Sequence, residues 1–78
     1  MSIEMYKDHR VVWAATYNEK ADSWIPEASV SWHVLKRYRF QHIQGPPQKS
    51  EVAARAMAKQ LAEAWIDERG RNAITPRP

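Results

Sequence analysis

Near residue 50 the hydrophobic pattern of this 78-residue chain changes period, from alternation at every second residue to an alanine-rich run at helical spacing. A chain of this length has room for one domain, and only about 60 to 65% of its unfolded surface can be buried. The change of period therefore predicts an α+β domain in which one C-terminal helix packs on one face of an antiparallel sheet. There is no cysteine, so disulfide staples cannot make up for a small core. The fold must rest on its core or on self-association, and a reducing compartment is expected. The first residues, Met-Ser-Ile-Glu-Met-Tyr-Lys-Asp, carry acids and no apolar run. They suggest neither a signal peptide nor a membrane span, and a soluble cytoplasmic protein is the expectation.

The alternation predicts three strands. Ile3, Met5, Val11, Trp13, Ala15 and Tyr17 fall at odd positions and should face inward. Lys7-Asp8-His9 interrupts that run as a bend, so the first strand proper is expected from about Arg10 to Tyr17. Asn18 to Ser23 reads as a loop. Pro26 cannot donate to a ladder, which places the start of the second strand after it. From there Ala28, Val30, Trp32 and Val34 define an apolar face, with Ser29, Ser31 and His33 on the wet one. Tyr38, Phe40 and His42 repeat the apolar face in a third strand, leaving Arg37, Arg39 and Gln41 outside. Leu35-Lys36-Arg37 lacks glycine, asparagine and proline, so one long bent strand is the alternative to a turn there.

Gly45-Pro46-Pro47 ends the sheet. Ser50 is a good N-cap, Glu51 complements the helix dipole, and Glu51 precedes Arg55 by four residues. The expected inward stripe is Ala53, Ala56, Met57, Gln60, Leu61, Ala64 and Trp65, with Arg55, Lys59, Glu63 and Asp67 elsewhere. Gly70 stands as the C-cap. The domain is thus expected over residues 1–70, followed by a disordered tail over residues 71–78.

The net charge of +3 is uneven. Residues 1–35 balance to −2, whereas residues 36–49 hold Lys36, Arg37, Arg39 and Lys49 with no acid. Such a patch can attract phosphate or an acidic partner, although a solvated strand has the same composition. His9, His33 and His42 have no metal-ligand spacing. Ser31 and His33 share a strand face about 7 Å apart, yet nothing supplies an orienting third group or an oxyanion site. Neither catalysis, a cofactor nor a metal is expected. The four tryptophans read as core, Trp24 being the one that could instead lie at a contact surface.

The element order resembles the N-terminal domain of HicB-type antitoxins, from the hairpin and third strand through Ser50-Glu51-Val52-Ala53 to Trp65-Ile66-Asp67. That resemblance implies a partial RNase H-like fold and binding to a small toxic ribonuclease. Short uncharacterised bacterial proteins share the layout. The same string resembles the last elements of a double-stranded RNA-binding domain, with Lys49 at the phosphate-contacting helix start. The reading is a small non-enzymatic binding module. It would act on a protein partner or a second copy through its sheet face or edge, using His33, Lys36, Arg37, Arg39, Gln41 and Lys49. The alternative is nucleic-acid binding through the basic third strand.

Overall fold

A computed structural model describes residues 2–74 and, within 71–74, the backbone alone. The elements are β1 (Ser2–Tyr6), β2 (His9–Asn18), β3 (Ser23–Val34), β4 (Arg37–Gln44) and α1 (Glu51–Ile74). The strands form one antiparallel sheet in chain order, with β1 and β4 at its edges. The α+β class and the single C-terminal helix agree with the sequence, but the sheet has four strands where three were expected.

The extra strand comes from the Lys7-Asp8 step. Both residues adopt positive φ, 48° and 65°, as in a type I′ turn, and they close a two-residue hairpin with Tyr6 opposite His9. Leu35 and Lys36, at 49° and 67°, close a second hairpin of the same kind and exclude the single bent strand. Between β2 and β3, Asn18 Oδ1 accepts from the backbone N–H groups of Lys20 and Ala21 at 3.0 and 3.3 Å, an Asx-type turn.

Pro26 lies inside β3, which starts three residues before it. Its carbonyl accepts from Gly45 N–H at 3.0 Å on the side where β4 has already ended at Gln44, so a donor is not needed there. Beyond β4 the chain runs back beside β3. Trp24 and Gln48 exchange two backbone hydrogen bonds, both 2.8 Å.

Ser50 caps α1, its Oγ accepting from Ala53 N–H at 3.1 Å. The helix continues through Gly70 to Ile74, so that glycine is not its C-cap. The expected tail lies from residue 75 onward outside the described residues. No helix among the described residues is long and apolar enough to cross a membrane.

Three rows of the helix meet the sheet, each spaced by four residues. Ala54, Ala58, Ala62 and Ile66 are the buried centre, the last three clustered with Val11, Ala28 and Val30. Met57, Leu61 and Trp65 flank them on one side. Gln48 Nε2 donates to Met57 Sδ at 3.3 Å, and a Cβ at Gly45 would come within 2.6 Å of Leu61 Cδ1. Arg55, Lys59, Glu63 and Asp67 form the other flank, half-buried against β1. The expected stripe is therefore displaced. Met57, Leu61 and Trp65 do face the sheet, but Ala53, Ala56, Gln60 and Ala64 are exposed. Alanine on several rows hides the apolar direction, and the charged row is drawn inward by polar partners on β1.

Because Ala58 touches the sheet through its Cβ, Ala58→Leu should destabilise the fold by about 1 to 3 kcal/mol through overpacking. The exposed Ala56→Leu should shift stability by less than about 0.5 kcal/mol. Urea titration of both variants tests this; equal effects would contradict the assigned face. Replacing Leu35-Lys36 by Asn-Gly should stabilise the fold by about 1 kcal/mol, since it relieves two left-handed non-glycine residues. A fall in stability would mean the turn differs.

Candidate functional site

The pairing registers determine which side chains share the uncovered face. Partner numbers add to an odd total in all three hairpins, so odd positions on one strand stand beside even positions on the next. The helix side consists of even positions on β1, odd on β2, even on β3 and odd on β4. The open face consequently carries Ile3 and Met5, then Arg10, Val12 and Ala14, then Glu27, Ser29, Ser31 and His33, then Tyr38, Phe40 and His42.

This reverses two expectations. Ile3 and Met5 are 55% and 69% exposed, and Tyr38 and Phe40 are 69% and 79% exposed. None of them joins the core. A cross-strand row runs Met5, Arg10, Ser31, Phe40, and the next runs Ile3, Val12, Ser29, His42. Large apolar groups thus stand on the two edge strands above a floor of small side chains. A shallow depression of about 160 Å³ opens in that floor among Val12, Ala14, Glu27, Ser29 and His42. Glu27 Oε2 lies 3.6 Å from His42 Nε2.

The expected site residues do not form one surface. His33 is on the open face, its ring 3.8 Å from that of Tyr38, centre to centre. Arg37, Arg39 and Gln41 are on the helix side of β4, where α1 scarcely reaches and they remain exposed. Gln41 Nε2 donates to His42 O at 3.1 Å. Lys36 is in the β3–β4 turn. Lys49 follows Gln48, the partner of Trp24, and so sits at the other end of β3 from Val34 and Arg37. That separation is roughly 30 Å along the strand. The cations that cluster in sequence are therefore split between two ends and two faces.

Sequence reasoning also missed an aromatic stack beside α1. Trp32 lies between His9 at 5.5 Å and Trp65 at 5.3 Å, with the Arg69 guanidinium 4.4 Å from its ring centre. Trp24 is half-buried and packs on Tyr17 at 5.2 Å. Among the described residues no group of three or more metal-ligating side chains converges.

Titratable groups gather instead in the seam between β1 and α1. Arg55 donates to Ser2 Oγ at 2.6 Å, Lys59 Nζ lies 3.6 Å from Glu4 Oε1, and Tyr6 donates to both Asp67 oxygens at 3.1 Å. Burial, followed by the Asp67 carboxylate it bonds, pushes the Tyr6 hydroxyl above its ordinary value. Glu63 is raised above the usual carboxylate range, first by a hydrogen bond to Glu4, then by desolvation and the negative charge of Glu4. Protonated Glu63 offers a donor to this carboxylate, whose Oε2 is otherwise buried without a partner. The seam fastens β1 to α1.

Compared with protein-family models, with curated proteins and with solved structures, the chain matches none.

The raised Glu63 fixes the sign of one pH effect. Its contribution to stability is complete below the unfolded-state value and is lost as pH rises through the folded one. Glu63→Gln keeps a donor for Glu4 and removes the charge. The variant should match the parent near about pH 4 and exceed it progressively toward about pH 7. Denaturant titrations across that range check this, and a variant less stable at neutral pH would contradict it.

Proposed function

We propose that this chain is a small non-enzymatic protein-binding module whose contact surface is the open sheet face, centred on Tyr38 and Phe40. The observation that carries the reading is the exposure of Ile3, Met5, Tyr38 and Phe40 on one face. Together, as a pair on each edge strand, they offer on the order of 500 Å² of largely apolar surface, the size of patch that is often functional on a small domain. Strand β4 adds a free edge, exposed on both faces over most of its length, to which a partner strand could also pair. The open face carries one arginine, one glutamate and two histidines, a charge balance suited to a protein surface rather than to phosphate. Nucleic-acid binding would instead draw on Lys36, Arg37 and Arg39, but Lys49 lies too far away to join them. Under the present reading these cations solvate the rim.

A photo-crosslinking amino acid at Phe40 should give protein adducts in cells expressing the chain, whereas the same probe at Arg39 should give few or none. Adducts with nucleic acid, or adducts from Arg39 alone, would overturn the reading.

A further inference from the structure

We propose that the open face is occupied by a second copy of this chain, the two sheets stacked face to face with both helices outward. This rests on the protein-binding reading of that face and names its partner. The argument is one of self-complementarity. A two-fold axis running along the strands between β2 and β3 lays β1 of each copy over β4 of the other, and β2 over β3.

Along the observed cross-strand rows, that operation sets Met5 against Phe40 of the second copy and Ile3 against His42. The thioether of Met5 on the aromatic ring of Phe40 is a favourable contact. In the centre each large residue faces a small one. Arg10 extends over Ser31 of the second copy, and Val12 over Ser29. Val12 of one copy thus reaches into the depression beside Ser29 of the other.

Size agrees with this arrangement. A sheet four strands wide spans roughly 14 Å between its outer strands. The four exposed apolar side chains provide more than half of the roughly 800 Å² per partner that a standard specific interface buries. Sheets aligned in this way pack about 10 Å apart with their strands offset by their twist, which suits side chains of these lengths.

The test is sedimentation equilibrium of the full chain at concentrations up to about 1 mM, at which even a contact of about 4 kcal/mol is populated. The parent should dimerise. Ser31→Arg brings a second cation against Arg10 of the other copy and should raise the dissociation constant about a hundredfold. Arg10→Ser combined with Ser31→Arg restores the arginine-on-serine contact with the two positions exchanged. It should recover affinity to within about fivefold of the parent. Circular dichroism of each variant should remain that of the folded protein, since both positions face outward.

A chain monomeric throughout, a Ser31→Arg variant that still dimerises, or a folded double variant that stays monomeric would each overturn the arrangement. Pairing through the β4 edge would be insensitive to Ser31 on β3 and falls under the second outcome. A monomeric chain that still yields Phe40 adducts with another protein would overturn this inference and leave the protein-binding reading standing. A dimer that gives no Phe40 adduct would place the contact away from Phe40 and likewise overturn the arrangement.

Discussion

The close approach of α1 to the middle of the sheet governs the rest of the molecule. It is made by Ala58 and Ala62, whose single methyl groups bring the helix backbone down onto Val11, Ala28 and Val30. Small side chains bury little area each, so the core is narrow, centred on β2 and β3. Larger groups close its ends, with Trp13, Trp32, Trp65 and Ile43 packed around it. One helix about 10 Å wide cannot cover four strands. The edge strands therefore have to be held by other means or left open.

The two edges take different solutions. On β1 the helix side is Ser2, Glu4 and Tyr6, and a polar row of α1 meets it with Arg55, Lys59, Glu63 and Asp67. Such a seam contributes modestly per contact, because half-exposed ion pairs are screened, but its geometry fixes the register of β1. On β4 the helix scarcely reaches, and beyond Ile43, which packs on the core, the strand is held mainly by its ladder to β3. The element least covered by the fold is thus the one that presents Tyr38 and Phe40, which is why the functional reading centres there.

Several features were legible in the sequence because they depend on local chemistry. The period change, the Ser50 cap, the break at Gly45-Pro46-Pro47 and the alternation over Ala28 to Val34 all appear in the structure. So does the inward face of Val11, Trp13 and Ala15. What failed was the transfer of a face from one strand to the next. The apolar side was carried unbroken from Met5 to Val11 and from Val34 to Tyr38. In both places a two-residue turn intervenes, and in antiparallel pairing it switches the inward parity. Lys-Asp and Leu-Lys lack the glycine and asparagine that usually mark such turns, so nothing in their composition signalled the switch. The cations misled for a related reason, since Arg37 and Lys49 are twelve residues apart in the chain but occupy opposite ends of β3's length.

The sequence by itself determined the class of fold, the single helix and its start, and the composition of each strand's two sides, because these follow from side-chain period and from caps and breakers acting over a few residues. Tertiary structure alone decided which side of β1 and β4 meets the helix, which row of α1 is buried, and where the exposed aromatics stand. Those outcomes depend on backbone conformation at four turn residues and on the area one helix can cover. Neither quantity has a counterpart in the order of apolar and polar residues.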